Sequence, residues 1–197
     1  MNKVITISRE FGAGGHTIAK RVADELGITI YDKDIVRETV KASGFDMELV
    51  RKEEEEVSKT GSFFKSLWAS SAFYPDPQEV IHDVQKAVIL KFAKAGPCVI
   101  LGRCADEILR DSGIETLNVF IHASELHRAM RLQAKTGITD ATELQKLMAK
   151  HDSSRRAYYA HYTGKQWGDS HNYHLTLDSG ILGDDLCVRM ILEAARV

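Results

Sequence analysis

The chain has little proline and little cysteine, and these shortages exclude several classes of protein. Its 197 residues include three prolines and 14 glycines, too few for a collagen-like or low-complexity chain. The three cysteines, Cys98, Cys104 and Cys187, are odd in number and show no CxxC spacing. The histidine pairs lack the i, i+4 helical spacing of a zinc site. We therefore expect neither a disulfide scaffold nor a structural metal, and a reducing cytoplasm as the setting.

An excess of charge of one sign and long apolar runs are also missing. Lysine and arginine total 26 against 28 aspartates and glutamates, a net charge of −2. This balance argues against a duplex-DNA binder that relies on bulk positive charge. No apolar run approaches the roughly 18–20 residues that cross a bilayer, and the first residues lack the pattern of a signal peptide. We expect a cytoplasmic globular protein with no nucleic-acid or membrane partner.

Short β-rich runs alternate with helical patterns along the chain. Strands are predicted over residues 3–7, 28–30, 98–101, 117–121 and 173–177. Helices are predicted over residues 15–26, 35–41, 77–95, 124–136, 140–163 and 184–196. Strands that alternate with helices form βαβ crossovers. The pattern therefore predicts a three-layer α/β fold with a five-stranded parallel sheet and a single core.

Residues 44–76 do not fit this alternation. The acidic run 53–56 is typical of a solvated helix face. The aromatic residues that follow it are Phe63, Phe64, Trp68, Phe73 and Tyr74. They can form a mobile cover, a self-association surface or ordinary core, and we favour core or self-association over ligand contact. A homodimer is the partner that this segment suggests.

A glycine cluster between the first strand and the first helix carries the clearest functional signal. Gly12, Gly14 and Gly15 stand where the strand ends and the helix begins. Glycine adopts positive φ without strain, so that successive amide hydrogens can turn toward one point. The helix N-terminus adds its dipole, and together they favour phosphate binding. The alternative is a tight turn that binds nothing.

The stretch ITISREFGAGGHTIAKRVADELGITIYDKDI resembles the cytidylate kinase-like family of P-loop kinases. A P-loop reads GxxxxGK[ST], nucleoside monophosphate kinases carry the variant GxxxxGKGT, and this family shares an SREFG-x-GG form in place of it. In this correspondence Arg9 takes the place of the first glycine, Gly15 that of the lysine and Thr17 that of the threonine. The resemblance continues through Gly102-Arg103 and the helices over 124–156, and it ends at residues 177–179.

The resemblance implies a P-loop kinase fold formed by one domain over residues 1–197. Its core would carry an acceptor-binding insertion over about 33–95 and a helical lid over about 124–165. The implied ligands are ATP with Mg²⁺ and a small phosphate acceptor. A pyrimidine nucleoside monophosphate such as CMP is the leading acceptor.

Two departures from the P-loop pattern affect phosphoryl transfer, which depends on positioning and on neutralising charge. Gly15 cannot supply the lysine's charge, and Leu101 and Cys104 flank Gly102-Arg103 where cytidylate kinases carry acids. Arg9 at the mouth of the loop can compensate for the lysine. Lys20 can do the same or be an ordinary surface residue. Thr17 keeps a hydroxyl for Mg²⁺, with Asp32 or Asp34 acting through water.

The resemblance also assigns roles to individual residues. The predicted ATP-binding residues are Gly12, Ala13, Gly14, Gly15, His16 and Thr17, with Thr17 as the Mg²⁺ ligand. The predicted catalytic residues, which would neutralise transition-state charge, are Arg9, Arg128, Arg131, Arg155 and Arg156. The predicted acceptor-binding residues are Asp32, Lys33, Arg37, Arg103 and Asp152. Structural ion pairs within this set, such as Asp152 with Arg155 or Arg156, are the alternative.

Two other functions stay open. Loss of the lysine and the acids can reflect a non-catalytic nucleotide-binding or sensor module. The same scaffold can also serve a kinase for an unrelated small metabolite, because a fold does not determine a function.

Overall fold

A computed structural model of the chain describes residues 4–48, 50 and 77–196. The strands are β1 (Val4–Arg9), β2 (Thr29–Tyr31), β3 (Cys98–Leu101), β4 (Thr116–His122) and β5 (Leu175–Asp178). The helices are α1 (Gly15–Leu26), α2 (Lys33–Ser43), α3 (Pro77–Ala95), α4 (Ala105–Asp111), α5 (Glu125–Thr136), α6 (Ala141–Thr163) and α7 (Ser179–Arg196). The acidic run 53–56 and the aromatic residues between 63 and 74 lie outside the described residues, so their predicted roles stay predictions.

The strands form one parallel sheet in the order β2-β3-β1-β4-β5. In its register Val4 of β1 lies opposite Cys98 of β3 on one side and Thr116 of β4 on the other. Ile5 and Ile7 of this central strand are fully buried, as expected for a strand with neighbours on both edges and helices on both faces. The predicted five-stranded parallel sheet is confirmed.

Helices cover both faces of the sheet. On one face the apolar side of α1 and the side of α7 that carries Cys187 and Ile191 pack against β1, β3 and β4. On the other face α3, α4 and Tyr159 of α6 pack around Ile100 and Phe120. The three-layer arrangement is therefore also confirmed. Within the part of the chain that the structure describes, no helix is both long enough and apolar enough to cross a membrane.

The strand order indicates where on the sheet a ligand would bind. From β1 the sheet continues through β4 and β5 in one direction and through β3 and β2 in the other. Ligands of open α/β sheets bind at the carboxyl ends of the strands where the order reverses in this way. The glycine loop after β1, residues 102–104 after β3 and residues 123–124 after β4 meet at this point.

Candidate active site

The loop between β1 and α1 has the backbone of an anion-binding loop. Gly12 and Gly14 have φ angles of 84° and 82°, and Gly14 directly precedes the first helical residue, Gly15. The Ser179 hydroxyl at the start of α7 donates a hydrogen bond of 2.6 Å to the carbonyl of the buried Ala13. This hydrogen bond connects the loop to α7. The amides of the first turn of α1 have no partner within the helix, and a phosphate bound at the loop can accept their hydrogen bonds.

Arg9, the last residue of β1, lies directly against this loop. A Cβ atom added to Gly15 would lie 2.5 Å from the Arg9 Cβ and 2.7 Å from its Cγ. A Cβ atom added to Gly102, after β3, would lie 2.4 Å from the Arg9 Nη1. The Arg9 side chain thus crosses Gly15 and carries its guanidinium to the carboxyl end of β3.

A second guanidinium lies on the loop at Gly14. Arg131 of α5 donates two hydrogen bonds to Asp184 of α7, of 2.9 and 2.5 Å. A Cβ atom added to Gly14 would lie 2.6 Å from the Arg131 Cζ. The hydrogen bond to Asp184 raises the pKa of Arg131, so its charge is permanent. The sequence predicted Arg131 but missed Asp184, which no motif identifies.

Asp152 of α6 joins the loop to the helices α5 and α6. Its carboxylate accepts a 2.7 Å hydrogen bond from the Phe11 backbone amide and a 2.5 Å hydrogen bond from Arg128 Nη1. The same Arg128 nitrogen donates to the Phe11 carbonyl at 3.2 Å, and Arg128 Nε lies 3.5 Å from a carboxylate oxygen of Glu10. Asp152 and Arg128 are buried. In the structure, two residues predicted from the resemblance to contact ligands fix the loop.

Arg155 and Arg156 are adjacent in α6 but lie in different surroundings. Arg155 Nη1 donates a 2.9 Å hydrogen bond to the Arg9 carbonyl, and its guanidinium lies 5.7 Å from the centre of the Phe11 ring. Arg156 is exposed, and its guanidinium lies 6.0 Å from the centre of the Trp167 ring. Of these two arginines, Arg155 therefore lies at the loop after β1 and Arg156 lies beside Trp167.

A cavity of about 190 Å³ opens between the ends of β1 and β3 and the helix α6. Its lining residues are Ser8, Arg9, Gly102, Arg103, Cys104, His151, Ser154, Arg155, Tyr158, Tyr159 and Trp167. Three of these side chains are arginines, and none of the described lining residues is acidic. The cavity is therefore suited to a small anion with an apolar or aromatic portion.

Arg103 is positioned by an unusual turn after β3. Arg103 and Cys104 have φ angles of 57° and 53°, a conformation that residues with a side chain rarely adopt. Arg103 Nη1 donates to the Leu101 carbonyl at 3.3 Å and lies 3.5 Å from Asp32 Oδ1. The other Asp32 oxygen lies 3.7 Å from His16 Nε2, so Asp32 connects the two sides of the site. Strained turns of this kind are concentrated at functional sites.

The remaining predicted residues lie farther from this centre. Arg37 pairs with Asp34 on α2, and Lys33 is exposed at the first position of that helix. Neither lines the cavity. Lys20 lies 2.9 Å from Asp24 one turn along α1, which accords with its interpretation as a surface residue.

Asp106 of α4 is a buried carboxyl group that the sequence analysis missed. The Tyr159 hydroxyl donates a 2.7 Å hydrogen bond to its Oδ2. Its Oδ1 has no hydrogen-bond partner among the described residues. Burial raises the pKa of this carboxyl and also that of the Cys104 thiol, which favours the protonated form of both groups. The sequence feature that could have indicated a buried carboxyl group is the Asp-Glu pair within the otherwise apolar run 104–109.

Contacts between α3 and α6 hold the wall of the cavity. The hydroxyl of the lining residue Tyr158 lies 2.8 Å from His82 Nδ1 and donates to Gln85 at 3.0 Å. The His82 ring stacks on Tyr162 with 3.6 Å between ring centres. Burial lowers the pKa of His82, which favours its neutral form. Helix α3 therefore supports the wall of the cavity that α6 forms.

The oxygen donors at the loop fit the Mg²⁺ that the sequence resemblance implies. The exposed Thr17 hydroxyl lies in the first turn of α1, next to His16, whose ring approaches the Asp32 carboxylate. Mg²⁺ prefers oxygen ligands and takes only one or two from the protein when it binds with phosphates. Among the described residues, no group of three or more histidine, cysteine or acidic side chains could hold a metal ion.

Taken together, these features define a class of protein. An anion-binding loop at the switch point of a five-stranded parallel sheet, beside arginine-bearing helices, is the architecture of a P-loop kinase. Residues 4–181 match the cytidylate kinase-like family, and the chain belongs to that family. The resemblance stated from the sequence is thereby confirmed.

Individual relatives agree with this assignment. A cytidylate kinase from Aeropyrum pernix is 27% identical over 192 residues, which span 96% of this chain and 97% of the relative. The structure of an uncharacterised protein from Eubacterium ventriosum superposes with a TM-score of 0.72 at 27% identity and covers 98% of both chains. A shikimate kinase from Bacteroides thetaiotaomicron superposes with a TM-score of 0.55 over the full length of both chains, at 13% identity. The last likeness concerns the fold alone.

Proposed function

We propose that this protein transfers the γ-phosphoryl group of ATP to a small anionic acceptor, with a pyrimidine nucleoside monophosphate such as CMP as the leading acceptor. The observation that carries the proposal is a cavity lined by three arginines directly beside the phosphate loop. Arg9 borders both, so a donor phosphate on the loop and an acceptor anion in the cavity would meet at its side chain.

In the donor half, the backbone amides from Gly12 to Thr17 and the N-terminus of α1 would bind the phosphates of ATP. Arg131 would add a positive charge at Gly14, where its guanidinium lies. Thr17 and Asp32 would hold Mg²⁺, which when bound neutralises charge on the transferring phosphoryl group. Arg156 joins the charge-neutralising set on the family resemblance alone.

In the acceptor half, Arg103 and Arg155 would bind the acceptor's anionic group, since a guanidinium can donate two parallel hydrogen bonds to a phosphate or carboxylate. Tyr158 and Trp167 offer aromatic surfaces to a pyrimidine ring. Asp32, Lys33 and Arg37 are further proposed contacts at the start of α2. A phosphate oxygen is already a nucleophile, and the reaction needs no general base. The lack of acidic residues among the described lining agrees with this chemistry.

The test measures ADP release from ATP and Mg²⁺ in the presence of each nucleoside monophosphate in turn. We expect release to rise with CMP or UMP and to stay basal with purine nucleotides. Arg103→Ala should raise the KM for the acceptor while leaving ATP affinity unchanged. Arg21→Ala, which removes a surface arginine paired with Asp185, is the matched control.

ADP release, measured together with a calorimetric titration of ATP, separates the proposed kinase from the alternative functions. Tight ATP binding without ADP release in any mixture would support a non-catalytic nucleotide-binding module or a kinase for a different metabolite. Undetectable ATP binding in a calorimetric titration would contradict the proposal altogether.

A further inference from the structure

The two departures from the P-loop pattern are next to each other in space. Arg9 stands where the pattern has its first glycine, and Gly15 stands where it has its lysine. A Cβ atom at Gly15 would lie 2.5 Å from the Arg9 Cβ, much closer than two such atoms approach in real proteins. An arginine at position 9 thus excludes a lysine, or any other side chain, at position 15.

We propose that Arg9 and Gly15 form a reciprocal exchange, in which the phosphate-loop cation extends from the end of β1 instead of the first turn of α1. The inference rests on the proposed function, because it assigns the cation of that same site. It also explains why both positions depart from the pattern together: Arg9 supplies the charge that Gly15 lacks, and Gly15 supplies the space that Arg9 needs.

The Arg9 side chain extends from the phosphate loop to the proposed acceptor cavity. After crossing Gly15, the side chain ends at Gly102, where a Cβ atom would lie 2.4 Å from Nη1. Arg9 lines the cavity together with Arg103 and Arg155. A guanidinium in this place lies between the phosphate loop and the acceptor cavity, and its several N–H groups can bind a donor and an acceptor oxygen at once.

The backbone of Arg9 is fixed at the end of β1. Arg9 pairs with Ile121 of β4 in the sheet register, and its carbonyl accepts a 2.9 Å hydrogen bond from Arg155. Two other cations near the loop are paired with acids, Lys20 with Asp24 and Arg131 with Asp184. The Arg9 side chain therefore starts from a fixed backbone position and crosses Gly15 to Gly102, and electrostatic stabilisation of a transition state requires such positioned charges.

The experiment compares four proteins: wild type, Arg9→Gly, Gly15→Lys and the double variant, which differs from the GxxxxGKGT form only in having His16 after the lysine. Each is assayed for ADP release with the best acceptor and titrated with ATP. We expect Arg9→Gly to lower kcat/KM by roughly 10²–10³-fold and Gly15→Lys to lower it at least as much. The double variant should recover roughly tenfold or more over either single variant, because both the charge and the space are restored.

A second comparison tests, without an activity assay, whether Arg9 needs the space that Gly15 leaves. Gly15→Ala should lower the thermal unfolding midpoint in the Arg9 background and leave it unchanged in the Arg9→Gly background. Circular dichroism checks that every variant is folded.

The proposal would be overturned if Arg9→Gly kept wild-type turnover, or if the double variant were no better than the worse single variant. Equal effects of Gly15→Ala in both backgrounds would also contradict it. If the wild type releases no ADP with any acceptor, the proposed function fails. The exchange would then still be tested by the ATP titration of the four proteins and by the Gly15→Ala pair.

Discussion

At the scale of single residues, two buried carboxyl groups near the cavity have opposite surroundings. Asp152 faces the Arg128 guanidinium at 2.5 Å and the Phe11 amide at 2.7 Å, so its charge is compensated. Asp106 has one hydroxyl donor, from Tyr159, and lies beside Glu107. Burial is the main cause of its raised pKa. A carboxyl group in such a site favours its protonated form, as an uncompensated buried charge would be costly.

Asp106 therefore links folding stability to pH. Above the ordinary value of 3.8, the unfolded chain releases a proton that the folded chain still holds at Asp106. The free energy of unfolding must then fall as pH rises through that window. Asp106→Asn cannot ionise, so its stability relative to wild type should rise from about pH 4 to about pH 7. Urea denaturation of both proteins at the two pH values measures the difference.

Asp111 provides the matched control for this prediction, since it ends the same helix and is exposed. Asp111→Asn should keep a constant stability difference from wild type across the same pH range. A flat difference for Asp106→Asn as well would show that the Asp106 carboxyl is ionised in the folded protein.

At the scale of helices and strands, the loop after β1 is joined to α5 and α6 through one carboxylate. Removing Asp152 would leave Arg128 as a buried charge without its closest partner, and would free the Phe11 amide. Breaking a buried ion pair from one side costs about 3–5 kcal/mol. We expect Asp152→Ala to lose that much in the free energy of unfolding, as measured by urea denaturation.

Lys150 lies on the same helix and is exposed, so Lys150→Ala is the control and should stay within about 0.5 kcal/mol of wild type. A loss below about 1 kcal/mol for Asp152→Ala would show that the loop is held by other contacts.

The elements that the sequence predicts best are those that carry a full hydrophobic pattern. Helix α1 and strand β3 were predicted to the residue, because glycines bound the first and the apolar run CVIL is the second. Helix α4 was missed, since its seven residues are too short for a clear helical period. Helix α7 begins five residues earlier than predicted, at Ser179, with a kink at Gly183. The prediction found only the part after the kink.

The candidate site was predictable where a local motif defines it and not where distant contacts do. The glycines of the phosphate loop stand together in the chain, and their spacing indicates phosphate binding. Asp184 reaches Arg131 over 53 residues, and Asp152 reaches Phe11 over 141. No periodicity or spacing encodes such pairings, since they arise only when the sheet brings its loops together.

At the scale of the whole molecule, the proposed donor and acceptor positions lie on either side of the end of β1, and each should stabilise the fold when filled. A ligand at one hundred times its Kd adds about 2.7 kcal/mol, which corresponds to a rise of about 5–10 °C in the unfolding midpoint for a chain of this size. We expect ATP–Mg²⁺ and CMP each to raise the midpoint of the wild type.

Gly14→Ala should abolish the ATP shift and keep the CMP shift. The new methyl group would meet the Arg131 guanidinium at 2.6 Å, and the φ of 82° strains any residue with a side chain. Gly164 has a φ of 67° with no atom within 4 Å of an added Cβ. Gly164→Ala thus carries similar strain far from the loop and should keep both shifts. Loss of both ligand shifts in Gly14→Ala would contradict two separable positions.

The place of β1 in the middle of the sheet has a consequence for how the protein is made. Ile5 and Ile7 are buried between β3 and β4, and Thr6 bonds to Asn118, 112 residues later in the chain. At a synthesis rate of about 5–20 residues per second, a ribosome needs roughly 6–22 s to cover that distance. For this time β1 lacks its neighbour β4, and for most of it β3 has not been translated either, so that an apolar strand stays without its sheet partners. The loop that would bind phosphate is thus translated well before β3 and β4, the two strands that fix the strand leading into it.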